Sequence, residues 1–269
     1  MKNLFAIAAI TFLEGLRSRV FFGLFLLALA LFSATYALSY LFPRDVVKVA
    51  VDLGLGITSL VGLVLTLFLG TQLLAKDLEK RTIHTVLAKA VSRPEYVVGK
   101  FAGLSLIIVC AMVILGAFAG LAGWIVDLLT ADQYGVMHWP AFVVSLATMT
   151  LMFIVLTSVI CFFSSFTSST FVALGLTLVV YLIGQSMEDL KRFLASGAEG
   201  IAIDPLFGKI VTAAYYVFPN LAAFDFKTHA AHGLPLAAPT VAWTILYGIV
   251  YAAVMVTAAA WLFRRREFP

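Results

Sequence analysis

Apolar and polar stretches alternate along the chain with a spacing suited to a bilayer rather than to a soluble core. Six stretches, 20–42, 53–75, 101–126, 139–163, 170–187 and 241–263, are predominantly apolar. Each reaches the roughly 17 to 25 residues that a helix needs to cross the hydrocarbon. They predict six transmembrane helices. Residues 1–19 differ: Leu4, Phe5, Ala8, Phe12 and Leu16 are spaced for one helical face, while Lys2, Glu14, Arg17 and Arg19 are polar. That segment is too short and too charged to span, so it predicts an amphipathic helix lying in the interface.

The longest charged interruption of the first half is 76–100, KDLEKRTIHTVLAKAVSRPEYVVGK, with six Lys or Arg. As a helix from about Asp77 it puts Ile83, Val86, Leu87, Ala90 and Val91 on one stripe, with Lys80, Arg81, Thr85 and Lys89 largely elsewhere. Pro94 is expected to end it, and Gly99-Lys100 to lead back into lipid. Farther on, Asp127–His138 is a short acidic loop, Ser164–Ser169 a tight hydroxyl-rich turn, and 188–240 a long segment broken by Pro205, Pro219, Pro235 and Pro239. Within it, Leu206–Phe218 is apolar but too short to span, which predicts a re-entrant or interfacial element. The stretch around Thr228–Leu236, with His229 and His232, reads as a solvated surface loop.

Composition agrees with the pattern. Hydrophobic residues make up 62% and charged residues 12%, against about 25% charged in soluble chains. The chain is therefore an all-α integral membrane protein forming one transmembrane domain over 1–269. The net charge of +4 concerns topology, not nucleic acid. Twelve Lys or Arg fall in 1–19, 76–100 and the Arg264-Arg265-Arg266 tail, against six in 43–52, 127–138 and 188–240. The positive-inside rule then places both termini and 76–100 in the cytoplasm. Residues 20–42 have no convincing cleavage site and read as a retained first span. Cys110 and Cys161 lie in apolar runs and suit packing rather than a disulfide or metal site.

The chemistry-bearing residues exclude more than they assign. Walker A needs Gly-x4-Gly-Lys-Ser/Thr to wrap phosphates; Gly99-Lys100 is followed by Phe101 and lacks the upstream glycine. No enzyme activity and no directly bound cofactor are expected. The six runs hold no clear ionisable residue, which weighs against a gradient-driven carrier. Their hydroxyls, Thr58, Thr66, Thr148 and Thr157 among them, are expected to hydrogen-bond between helices. Gln72 and Gln185 are the better candidates for lining a path. Met149 and Met152 have helical spacing, but plain packing outweighs soft-metal handling. Gly184-Gln185-Ser186 lacks a histidine base within the spans, since His84, His138, His229 and His232 all lie outside them, so an intramembrane protease fails. Glu14 and Arg17, at i and i+3, are placed to pair.

Several motifs together carry a resemblance: Glu79-Lys80-Arg81-Thr82, Thr85-Val86-Leu87, Val91-Ser92-Arg93, Tyr96 and Gly99-Lys100, with Thr11–Arg19 near the start and Phe218-Pro219-Asn220-Leu221 before the last run. The pattern resembles ABC-2 type transporter permeases, most of all the six-span subgroup typified by permeases for nitrous-oxide-reductase copper-site maturation. Many relatives carry proline before Val-Ser-Arg where this chain has Ala90. The resemblance implies that 1–19 is an elbow helix, with Glu14 and Arg17 on it, and that 76–100 is a cytoplasmic coupling segment. Glu79, Lys80, Arg81, Thr82, Thr85 and Leu87 would then contact a separate ATPase subunit, on which ATP and Mg2+ bind. It further implies two ATPase copies, a second permease copy forming a homodimer, and residence in the inner membrane of a prokaryote. A periplasmic accessory protein docking on 188–240 is a further expectation. The alternatives are a non-transporting scaffold for metalloenzyme or envelope assembly and an ion-gradient-driven carrier.

Overall fold

The computed structural model describes residues 2–39, 45–79, 92–130, 136–167, 169–195, 213–215 and 217–265. Its helices are α1 (Lys2–Leu16), α2 (Arg19–Ser39), α3 (Val46–Glu79), α4 (Arg93–Thr130), α5 (Trp139–Phe166), α6 (Thr170–Ala195), α7 (Lys227–His232) and α8 (Ala238–Arg265), with a 3-10 turn at Ala222–Phe224. No strand occurs among the described residues. Helices α3, α4, α5, α6 and α8 are long and apolar enough to cross a membrane, and α1 with α2, bent by 53°, makes a sixth span if counted as one. Helix α2, 21 residues from Arg19 to Ser39, covers most of the first span expected over 20–42, and a 53° bend separates it from α1 where the interfacial helix was expected.

The helices outrun the apolar stretches that predict them. Helix α3 begins at Val46 rather than 53, and α4 runs from Arg93 through Thr130 where 101–126 was expected. At 1.5 Å per residue α4 is about 57 Å long, well beyond a hydrocarbon core of about 30 Å. Backbone hydrogen bonding continues a helix through polar residues once the lipid has ended, whereas an apolar window registers only the part inside the lipid.

Helix α4 is the axis of the bundle and is contacted by α1, α2, α3, α5 and α8. Close approach depends on small residues, as expected where lipid removes any hydrophobic drive between helices. A Cβ on Gly62 would lie 2.5 Å from the Phe153 ring and 2.8 Å from Met112 Sδ. Several of the buried hydroxyls predicted to bridge helices bond within their own helix instead. Thr58, Thr66, Thr157 and Thr177 donate to the carbonyls of Gly54, Gly62, Phe153 and Ala173, each four residues back in its own helix. In an apolar surrounding that carbonyl is the nearest acceptor.

The segment before α8 enters the bundle. Leu221 N–H donates to the Gly184 carbonyl at 3.1 Å, and Asn220 N–H to the Tyr247 hydroxyl at 2.9 Å. Gly184 admits this strap because a side chain there would meet the Pro219 carbonyl at 2.6 Å. Helix α7 packs on α3 and α5, with Ala230 and Ala231 buried. It ends at Gly233, whose φ of 62° is left-handed and suits glycine. The solvated loop expected around Thr228–Leu236 is therefore partly a packed helix, because its alanines face the bundle. Most of the Leu206–Phe218 element lies outside the described residues; the inserted part is the strap that follows it.

Candidate functional site

Two polar constellations stand out, one where Arg93, Lys100, Arg264 and Arg265 gather and one toward the other end of the bundle. At the first, called here the basic end, α4 opens on a reciprocal cap. Ser92 N–H donates to Glu95 Oε2 at 3.0 Å and Glu95 N–H to Ser92 Oγ at 3.4 Å. The Ser92 backbone N–H, and then its hydroxyl, hold the Glu95 carboxyl below its ordinary value. Pro94 sits in the first turn, where a missing N–H costs nothing. Pro94 and Gly99-Lys100 therefore belong to an established helix rather than to the approach to one. Arg93 Nη1 donates to the Arg264 carbonyl at 3.2 Å, and Tyr96 stacks on Phe263 with ring centroids 5.9 Å apart. These contacts tie the start of α4 to the end of α8.

Lys100, only 5% exposed, is the junction. Its ammonium donates to the Leu73 carbonyl of α3 at 3.1 Å, lies 3.9 Å from Glu14 Oε2 of α1, and sits 5.9 Å from the Tyr96 ring centroid. Helix α1 approaches closely because Gly99 and Gly103 face it. A Cβ on Gly103 would be 2.7 Å from both the Ala8 carbonyl and Thr11 Cβ. The predicted Glu14–Arg17 pair does not form among the described residues; Glu14 turns to Lys100. A buried ammonium needs an anionic or carbonyl partner more than an exposed guanidinium does.

Glu79 is the last residue of α3. Lys80, Arg81, Thr82, Thr85 and Leu87 lie outside the described residues. Gln72 is half-buried at the basic end, next to Leu73. Gln185 is elsewhere: its amide donates to Met152 Sδ at 3.4 Å, and it lines a cavity of about 10 Å3 with Ser59, Met149, Met152, Phe224, Asp225 and Lys227.

That cavity forms the second constellation. Asp225 Oδ2 lies 3.2 Å from Lys227 Nζ, and Asp225 Oδ1 accepts the Lys227 backbone N–H at 3.0 Å. Met149 and Met152 lie ten and thirteen residues into the apolar run of α5, Ser59 six into that of α3, and Gln185 two before the end of that of α6, so the lining residues span depths of about 3 to 20 Å. Glu188 follows Gln185 by three residues, so the pair sits toward the end of the bundle away from the basic end. The six apolar runs lack such charges, but the strap brings them in from outside the runs. Sequence reasoning missed this because it treated 188–240 as one outer segment; the signal was the pairing of a proline-bounded Phe218–Leu221 with a spanning glycine at Gly184.

Long apolar helices, an irregular strap packed among them and a charged junction at one end define a multi-pass helical membrane protein. The match to known families is specific: the chain belongs to the family described as ABC-2 family transporter protein, whose model matches residues 5–268. Members are typically non-catalytic membrane subunits of ABC transporters and lie in the cytoplasmic membrane. No curated protein matches the chain.

Proposed function

We propose that this protein is the permease subunit of an ABC transporter that exports a substrate or transmits force across the membrane, driven by a separate ATPase. Two permease copies, identical in the simplest assembly, work with two ATPase subunits that bind ATP and Mg2+. Residues 79–87 form the contact, with Glu79, Lys80, Arg81, Thr82, Thr85 and Leu87 on it, and both termini face the cytoplasm. Within the family we place it nearest the six-span subgroup of nitrous-oxide-reductase maturation permeases, on the Glu79–Lys100 and Phe218–Leu221 motifs. An accessory protein docking on 188–240 completes the proposal.

The observation that carries the reading is the Lys100 junction. The two helices flanking the 80–92 connection, α3 and α4, are joined to each other and to α1 through one ammonium. A push on that connection would therefore move three helices together. Copurification tests it: the wild type retains an ATPase protein, and a Glu79→Ala/Leu87→Asp double variant loses it or loses coupled hydrolysis. Absence of any ATPase from both would overturn the proposal and leave the scaffold reading. A gradient-driven carrier is the second reading, because the Asp225–Lys227 pair packed against Gln185 and Ser59 supplies ionisable groups that the apolar runs lack. Transport that follows an ion gradient and ignores ATP would select it.

A further inference from the structure

At the end of the bundle away from the basic end, Lys48 pairs with Asp45 and Lys227 with Asp225. Lys191, on the last turns of α6, differs. It forms no ion pair among the described residues, and its ammonium lies 4.4 Å from the Tyr215 ring centroid. Arg192 beside it is held by Glu188 one turn back, yet its side chain stays 73% exposed. These four residues and Asn220 of the strap line an open cavity of about 350 Å3. Lys191 and Arg192 against Glu188 leave its lining with one positive charge in excess. Cations at a helix end often do no more than reach for water. Here Tyr215 and Glu188 hold both of them at the cavity instead.

The level of the cavity narrows its ligand. The apolar run of α6 ends at 187, while the helix continues to Ala195. Glu188 through Arg192 therefore stand about 2 to 8 Å beyond the hydrocarbon, within a headgroup layer about 5 to 8 Å thick on each face. We propose that Lys191 and Arg192, with Tyr215 and Asn220, form a docking site for a phosphate ester at this face of the membrane. A phosphate has oxygens enough to accept from the ammonium and the guanidinium together, and the five N–H groups of Arg192 can serve it without releasing Glu188. A cationic ligand would meet the excess positive charge, and a neutral one would gain neither charge-assisted bond. The cavity is larger than a phosphate alone, and the Tyr215 ring and Asn220 amide suit a small polyol attached to it. Its occupant would bridge α6, the turn at 213–215 and the strap, so binding should also stabilise the fold. The site is independent of the permease reading and holds equally for a scaffold.

The test is binding to the purified full-length chain in a neutral detergent, read by native mass spectrometry and by the thermal midpoint. Three probes are compared: a phosphatidylglycerol, the diacylglycerol with the same acyl chains, and soluble glycerol phosphate. Phosphatidylglycerol should bind at least tenfold more tightly than diacylglycerol and raise the midpoint. Lys191→Gln should weaken it at least fivefold, and Lys191→Arg should restore it. Lys48→Gln removes a positive charge at the same end but outside the cavity, and should leave the affinity unchanged. In the wild type, phosphatidylglycerol should slow hydrogen exchange in peptides covering 188–192 or 217–221, a result that needs no variant to fold. Glycerol phosphate binding as tightly as the lipid would support the phosphate site with a soluble ester as its source; binding much weaker than the lipid would support a lipid headgroup. Equal binding of phosphatidylglycerol and diacylglycerol, an affinity unmoved by Lys191→Gln, an equal loss with Lys48→Gln, or protection confined to other segments would overturn the proposal.

Discussion

Lys100 receives a carbonyl from one helix and a carboxylate from another while almost wholly removed from solvent, so its contribution is one of geometry as well as charge. Lys100→Met keeps the apolar stem and removes the ammonium. It should lower the thermal midpoint in detergent and uncouple ATP hydrolysis from substrate while leaving ATPase docking intact, as measured by copurification and by substrate-stimulated turnover. Glu14→Gln should do much less, because that carboxylate is half-exposed at 3.9 Å, and such pairs contribute about 0 to 1 kcal/mol. The buried threonines set a contrast. Thr66 and Thr157 bond within their own helices, so Thr→Val at either should cost about 0.6 kcal/mol. Gly62→Val forces a side chain into Phe153 and Met112 and should cost about 1 to 3 kcal/mol. Reversible unfolding in mixed micelles separates the two cases. None of these partnerships was legible beforehand. A threonine in an apolar run reads the same whether its hydroxyl serves its own helix or a neighbour, and Lys100 read as the edge of a polar segment because its acceptor is a backbone carbonyl 27 residues away.

At the scale of elements, the spans were legible because lipid enforces one rule, about 20 apolar residues per crossing, and 139–163 and 241–263 fall within α5 and α8. Their ends were not, since a helix is bounded by caps and not by the water line. The Ser92–Glu95 cap shows this: it starts α4 seven residues ahead of Lys100. Ser92→Ala/Glu95→Gln should fray the first turn, raising hydrogen exchange at 93–97 and leaving 101–126 unchanged. The α1–α4 contact makes a sharper prediction. A Cβ on Gly99 would lie 2.9 Å from Ile7 Cβ, so the Ile7→Cys/Gly99→Cys pair, in a background without Cys110 and Cys161, reaches the roughly 3.5 to 4.5 Å of a disulfide once α1 withdraws by about 1 Å. It should cross-link readily as it stands and poorly once Gly103→Leu is added, because that side chain drives α1 off α4. The strap was only half legible. Its proline and glycine punctuation predicted an irregular element, but the apolar rule pointed to Leu206–Phe218 and passed over the charged residues that enter.

Across the whole molecule, burial is uneven. Helices α6 and α8 cover least of their apolar windows, 28% and 22%, against 56% for α3 and 61% for α5, and Phe171 and Trp243 are 85% and 70% exposed. A second permease copy and lipid would divide these faces between them. Native mass spectrometry of the extracted complex should therefore give a mass of two chains, with ATPase subunits in equal number. The length of α4 has a mechanical consequence. It is one uninterrupted helix from Arg93 to Thr130 with its only proline in the first turn, so no proline kink interrupts its roughly 57 Å. A displacement applied beside Ser92 would be carried along that one helix toward the far face of the membrane, as a pushrod carries its stroke, and the contacts it slides against would take up the rest.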